Sequence, residues 1–362
     1  MSTQRPNNEL IEHALFFSMK TIKNKIIQSS GDNIIAFMLQ CVIWYREFVV
    51  WGSKYKKQYY NQPRNRNVLK HTFVYLSSGY NSHEIGGLAD RIKGMMELYD
   101  WCRRHNRDFR IFFTDPFPLQ NYLVPNSYQW IIDERQVSFS HRDAAPKYLA
   151  SNIRMSETIR VKKSAQFFNF CMSRFNIYPN KQLHFSIHYG LESYDWAQRY
   201  HELFKPAPGL QERIEFHKKA IGGKYISISF RFTTLLGDLG DCVNSELPET
   251  EKRKLIDRCK NEILKIESEN PHVEHVLIAS DSISFVNEAK LLPKVYVVPG
   301  EIGHIVYDKT NDDSTMKTFL DLYMIMGAEK SYMVKFGDMY DSRFPYLACK
   351  VSGRELIVRT DN

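Results

Sequence analysis

The six cysteines of this 362-residue chain form no C-x-x-C pair. Cys41, Cys102, Cys171, Cys242, Cys259 and Cys349 lie far apart and mostly within apolar or helix-patterned stretches. That spacing predicts reduced, intracellular thiols rather than a disulfide framework. The N-terminal stretch MSTQRPNNELIEH lacks the basic, apolar and small-residue order of a secretory signal, and Glu9 and Glu12 argue against a transit peptide. A cytoplasmic location is expected. There is also no D-x-D pair beside a strand pattern; the adjacent acids Asp312 and Asp313 fall in TNDDS, read as a loop.

Acidic residues are scarce in one region. Residues 1–70 hold eleven Lys and Arg against four acids, which places +7 of the net +8 in the first fifth of the chain, and Lys54 to Lys70 contains no acid. Ile11, Leu15, Ile22 and Ile26 recur at helical spacing opposite Lys20, Lys23 and Lys25. A second helix is expected from Asp32, with a largely apolar run from Ile34 to Trp51. Gln40 and the Arg46-Glu47 pair interrupt that run and oppose a membrane span, because a charge near mid-bilayer costs about 2.5–3.5 kcal/mol. Two readings remain open: an interfacial helix pair with a polybasic tail on an anionic leaflet, and a helical hairpin docked on the first domain with a solvated basic linker. A third, a non-catalytic membrane or nucleic-acid binder using Trp44, Trp51, Tyr55, Tyr59 and Tyr60, is opposed by the near-neutrality of everything after residue 70.

The rest of the chain, 43% hydrophobic overall, is long enough for two cores. His71–Ser78 reads as a buried strand, Gly86 and Gly87 as a turn, and Ala89, Ile92, Met96, Tyr99 and Cys102 as one helix face. Phe109–Asp115 and Trp130–Glu134 read as further strands, which gives a βαβ order and hence a parallel sheet. The second half repeats this order. Strands are expected at Tyr225–Phe232, His275–Ser280, Lys294–Pro299, Lys330–Phe336 and ELIVR, with helices in ETEKRKLIDRCKNEILKIESEN, SISFVNEAKLL and RFPYLACKVSG. Pro206, Pro208 and Gly209 mark a boundary. The expected organisation is a basic helical extension over 1–70, an α/β domain over 71–210 and a second α/β domain over 211–362.

Arg231 falls at the carboxyl end of the first strand of the second domain, where ligands of doubly wound sheets lie. A guanidinium there offers a rigid donor fork for a phosphate or diphosphate. The competing reading is an arginine paired with a nearby carboxylate such as Asp238 or Asp241.

The ordered motifs HELFKPAPGLQERI, YISISFRFTTLLGD, HVLIASDS, VYVVPGEIGHI and KSYMVKFGDMYDSRFPYLACKVSG, with HEIGGLADRIKG upstream, resemble the GDP-fucose fucosyltransferase superfamily over roughly residues 71–358. The resemblance implies two Rossmann-like domains of GT-B type around a nucleotide sugar, with GDP-fucose the favoured donor. It also implies inverting transfer without a metal or other cofactor, to a glycan or glycolipid acceptor; the basic, aromatic N-terminal segment would suit a lipid-linked bacterial glycan. Arg231 matches the first arginine of the family's H-x-R-R-x-D-like element, whereas Ser229 and Phe232 stand where the family has histidine and its second arginine. These departures leave another nucleotide sugar open as donor.

By the same resemblance Asp281 contacts the nucleoside; the alternative is an N-cap of the following helix. Ser342, Arg343 and Phe344 match a loop that meets phosphate at a helix N-terminus. His304 matches a recurrent histidine near the sugar nucleotide. Glu84, with His83 and Asp90 beside it, matches the region that supplies the catalytic base in some relatives. Gly86, Gly87 and Arg91 belong to the glycine loop, and Arg91 either serves the donor or pairs with Asp90.

Overall fold

The computed structural model describes residues 58–60, 62–79, 86–150, 180–188, 194–238, 245–303 and 312–361. The helices expected before residue 58, together with His83, Glu84, Asp241 and His304, lie outside the described residues. Two parallel sheets organise the chain.

In the first, β1 (Thr72–Ser77) lies between β2 (Asp108–Phe113) and β5 (Gln182–His188), and β4 (Ala144–Ala150) pairs with β5, so the order is β2-β1-β5-β4. The β1–β2 crossover is α1 (Leu88–Arg104), whose Leu88, Ile92, Met95, Met96 and Tyr99 are buried as the helical spacing predicts. The pattern does not announce β4, because Pro146 sits inside it. Proline is tolerated there because β4 is the edge strand of the described sheet, where one side of the backbone needs no ladder partner.

A small antiparallel pair, β3 (Leu123–Pro125) with β6 (Phe204–Pro206), precedes the second unit. Helix α2 (Trp196–Leu203) runs directly into β6, and α3 (Pro208–Ile221) follows it. Pro208 therefore opens a helix rather than interrupting one, since its fixed φ suits the first helical turn and its missing N–H would have no intrahelical partner.

The second sheet has the order β11-β10-β7-β8-β9, with β7 at Tyr225–Phe230, β8 at His275–Ser280, β9 at Val295–Tyr296, β10 at Ser331–Lys335 and β11 at Leu356–Thr360. All its pairings are parallel. Helices α4 (Glu249–Glu269), α5 (Ile283–Ala289), α6 (Asp312–Gly327) and α7 (Arg343–Val351) connect it. Ile226, Ile228, Phe230 and Phe232 share a core with Ile256, Cys259, Ile263 and Phe285. On the opposite face Tyr225 donates to the Met324 carbonyl at 2.7 Å, so both faces of β7 are covered, as a parallel sheet requires.

Three sequence expectations are corrected. Trp130–Glu134 is not a strand: Ile131 makes one bridge to Ile111, and Asp133 then caps a short turn by accepting the Arg135 N–H at 2.8 Å. The strand expected over Lys294–Pro299 contracts to Val295–Tyr296; Gly300, at φ +132°, turns the chain against the Lys317 side chain. Asp312 and Asp313 form the first turn of α6 rather than a loop, a position that favours acids through the helix dipole.

Aromatic residues join the two halves. Tyr122 stacks on Phe319 with centroids 4.9 Å apart, Trp196 meets Tyr346 edge-on at 5.8 Å, and the Tyr200 hydroxyl donates to that of Tyr323 at 2.9 Å. One apolar cluster runs continuously from Phe73 and Tyr75 to Phe319 and Leu347. Tyr59, Arg64 and Asn65 also contact the first unit. Tyr59 is 1% exposed and its hydroxyl lies 2.7 Å from His184 Nδ1, while Arg64 and Asn65 hold the Asp143 carboxylate. Cys102, Cys259 and Cys349 are buried and unbridged. Among the described residues no helix is long and apolar enough to cross a membrane.

Candidate active site at the carboxyl edges of the sheets

The strand order fixes where a ligand has room. From β7 the chain moves to β8 and β9 on one side, then returns to β10 and β11 on the other. The carboxyl ends of β7 and β10 thus flank a topological switch point, the place where doubly wound sheets take their ligands. Arg231 leaves β7 at that point, and residues 337–342 leave β10 opposite it. The two loops are tied together: the Tyr340 N–H donates to the Arg231 carbonyl at 3.0 Å.

Arg231 is held by Asp281, which follows β8. Its Nη1 lies 3.2 Å from Asp281 Oδ2, with the arginine side chain 19% and the aspartate 5% exposed. The same carboxylate accepts the backbone N–H groups of Phe232 and Thr233, both at 2.8 Å. Those contacts pin a turn in which Thr233 takes φ +55°, a conformation a β-branched residue rarely adopts. Burial raises the Asp281 pKa above the ordinary carboxylate value, and the Arg231 charge and the two amides oppose that rise without cancelling it.

The N-cap reading of Asp281 is corrected: Ser282 caps α5, accepting the Phe285 N–H at 3.1 Å. Asp238, named as a partner of Arg231, instead accepts from the Ser282 hydroxyl and from the Ser284 hydroxyl at 2.7 Å. It braces the start of α5. Across the switch point Ser342 caps α7 by accepting the Phe344 N–H at 3.3 Å. Arg343 is exposed, with its guanidinium 5.6 Å from the Tyr346 ring centre, and Phe344 is half-buried. Gly337, at φ +52°, donates its N–H to Asp361 at 2.6 Å and fixes the start of this loop.

At the first sheet the glycine turn is built as its sequence suggests. Gly86 takes φ +81° and Gly87 is the N-cap residue of α1. Arg91 is turned inward, 1% exposed, with Nε donating to the Gly86 carbonyl at 2.8 Å and Nη1 to the Ser77 hydroxyl at 2.5 Å. It ties the turn to the carboxyl end of β1. Burial lowers its pKa, and Tyr75, Asp115 and Asp90 oppose that shift. Asp90 pairs with Lys93 at 2.8 Å rather than with Arg91 by contact. Two residues of this edge were not named as site residues from the sequence: Ser77, whose hydroxyl accepts from Arg91, and Asp115, whose carbonyl accepts from that hydroxyl. Both lie at the carboxyl ends of strands whose extents were legible, and that position was the available signal.

No protein-family model and no curated protein sequence matches the chain. Its structure is similar to solved GDP-fucose fucosyltransferases at low identity. Against NodZ alpha-1,6-fucosyltransferase soaked with GDP-fucose the TM-score is 0.47 at 11% identity, over 78% of this chain and 93% of that one. Se-Met NodZ from Bradyrhizobium gives 0.47 at 14% identity, over 78% and 92%. POFUT1 in complex with GDP gives 0.45 at 9% identity, over 80% and 98%.

Proposed function

We propose that the chain is a glycosyltransferase whose second sheet binds a nucleoside-diphosphate sugar at its switch point. The observation that carries this reading is the placement of Arg231. It stands at the carboxyl end of the central strand, ion-paired to Asp281 on one side and bonded through its carbonyl to the β10 loop on the other. A guanidinium so fixed meets a diphosphate with its donors already oriented, which reduces the ordering cost of binding. The N-terminus of α7, capped by Ser342, adds backbone N–H groups to the same side.

The chemistry follows from charge. When the bond between the anomeric carbon and the diphosphate breaks, negative charge grows on the leaving oxygen, and a preorganised cation stabilises that change more than it stabilises the ground state. Arg231 supplies the cation, Asp281 aims it, and Arg91 holds the glycine turn on the acceptor side. The motif resemblance favours GDP-fucose as donor and inverting transfer to a glycan or glycolipid. It also makes Glu84 and Asp90 candidates for the base, although Asp90 is already engaged by Lys93. The basic segment before residue 58 is proposed to contact an anionic leaflet from the cytoplasmic side.

Thermal-shift measurements with GDP, UDP and CMP test the donor site. GDP is expected to raise the melting temperature of the wild type most and to leave Arg231→Ala unshifted. Arg231→Lys should recover little, since an ammonium does not reproduce the fork. Equal shifts in the wild type and Arg231→Ala, or no shift with any nucleotide, would refute the assignment.

A further inference from the structure

Asp115 stands at the carboxyl end of the first sheet with no part in the chemistry so far. Its N–H donates to the Ser77 carbonyl at 3.3 Å and its own carbonyl accepts the Ser77 hydroxyl at 2.7 Å, so the backbone is locked to the end of β1. The side chain is different. Oδ2 is buried and has no hydrogen-bond partner among the described residues, although the residue as a whole is half-buried. A carboxylate oxygen withdrawn from water without a donor is costly and calls for an explanation. Among the described residues it interacts with Arg91 from α1, whose guanidinium feels the Asp115 charge, and Tyr75 from β1 and Asp90 act on the same guanidinium. Lys93 holds Asp90.

The segment that follows Asp115 leads to the other sheet. Phe117 meets Phe319 at 5.7 Å, and Tyr122 stacks on Phe319 and donates from its hydroxyl to Asp312 Oδ1 at 3.4 Å. Both partners lie on α6. That helix enters β10 after a short turn and so runs antiparallel to it, which puts its N-terminal turn, containing Asp312, at the carboxyl edge of the second sheet. Asp115 therefore lies where the chain passes from the carboxyl edge of one sheet to that of the other, beside the glycine turn held by Arg91.

We propose that Asp115 is a catalytic carboxylate that binds the attacking hydroxyl of the acceptor and takes its proton. The proposal rests on the glycosyltransferase reading and adds a base to it. In the step, the acceptor O–H bond breaks and its proton passes to the Asp115 carboxylate. The acceptor oxygen bonds the anomeric carbon, and the bond from that carbon to the diphosphate oxygen breaks, its electron pair leaving with the nucleoside diphosphate. Arg91, whose guanidinium interacts with the Asp115 charge, holds the glycine turn beside it. The orphaned oxygen gains a hydrogen bond when the hydroxyl enters, so the interaction is made in the reacting complex and not before.

The test uses the full chain with GDP-fucose as probe and water as acceptor. Calorimetry gives the donor Kd, and GDP release is followed with enzyme in excess. Asp115→Asn and Asp115→Ala are expected to bind donor within threefold of the wild type while GDP release falls about a hundredfold or more. Sodium formate should restore release at least tenfold in Asp115→Ala and do nothing for the wild type. Release within threefold of the wild type, or a Kd that rises in step with the lost rate and no rescue by formate, overturns the proposal and leaves the donor site standing. A wild type that neither binds nor cleaves GDP-fucose overturns the proposal together with the reading beneath it.

Discussion

Removing the Asp281 carboxylate separates its two tasks, pinning a turn and aiming a guanidinium. In Asp281→Ala the N–H groups of Phe232 and Thr233 lose their acceptor, and both residues are buried, at 0% and 2% exposure. An orphaned buried donor costs about 1–3 kcal/mol, so the two together cost about 2–6 kcal/mol. The Arg231 ion pair adds less than about 1 kcal/mol, because the arginine is partly open to solvent and screened. Part of the loss is offset. The carboxyl pKa is raised mainly by burial, which means that the charged form is held at a cost the alanine variant no longer bears. The net expectation is a loss of about 2–3 kcal/mol, at the low end of the orphan range. Asp281→Asn keeps one acceptor oxygen and should lose about half as much. In urea both variants are expected to unfold at a lower midpoint with an unchanged slope. Under conditions where both remain folded, GDP should bind each at least about tenfold more weakly, since Arg231 is no longer aimed. Unchanged midpoints would refute the hydrogen-bond account, and unchanged GDP affinity in a destabilised variant would refute the aiming role.

The remaining predictions concern the first sheet. Burial lowers the His184 pKa from the usual 6.5 to about 3, so the fold holds it neutral. Stability should be full above pH 6.5 and fall as the pH drops toward 3, by up to about 5 kcal/mol at about 1.4 kcal/mol per unit, and His184→Gln should flatten that slope in urea titrations across this range. Tyr59→Phe removes the hydroxyl 2.7 Å from His184 Nδ1 and should cost about 1–3 kcal/mol; an unchanged urea midpoint would count against it. A chain beginning at Gln58 should fold and bind GDP but no longer float with anionic vesicles at low salt, whereas one beginning at Asn67 lacks Tyr59 and should melt lower. Equal flotation of the full and Gln58 chains would remove the membrane role from the first 57 residues.

Much of the second unit was legible because its strands are short, apolar and bounded by helices with strong periodicity. The strand His275–Ser280 and the helix Glu249–Glu269 stand where the pattern puts them, and Tyr225–Phe230 ends two residues early only because Asp281 draws Phe232 and Thr233 into a turn. The first unit was read less completely. Pro146 disguised an edge strand, and Trp130 looked like strand because it is apolar, although it is fully buried with its indole N–H donating to the Leu203 carbonyl at 2.7 Å. Helix α3 was missed because Pro208 and Gly209 at its start read as a break. At the candidate site the cap at Ser342 and the turn at Gly86 were legible, since each rests on local chemistry. Arg91 was named from the sequence, yet its inward direction depends on Ser77, fourteen residues away, which no local rule supplies.

The partnership of Arg231 with Asp281 shows where such reading ends. It follows from one register relation: β7 and β8 pair in parallel so that Phe230 stands beside Ser280. The next residue of each strand must then lie side by side, and those residues are the arginine and the aspartate. A slip of one position would set Arg231 beside Ser280 or Ser282, and neither hydroxyl carries a charge to hold it. Sequence alone offered Asp238 and Asp241 as partners because they are near in the chain, whereas Asp281 is fifty residues distant and adjacent in space. The pairing is not an inexpensive source of stability, since burial raises the pKa of Asp281 even with a guanidinium and two amides around it. An ion pair whose buried carboxylate stays disfavoured contributes geometry more than energy. What it fixes is the direction of one guanidinium at the switch point of the sheet, and a developing diphosphate charge would be stabilised only by donors already in place before the bond breaks.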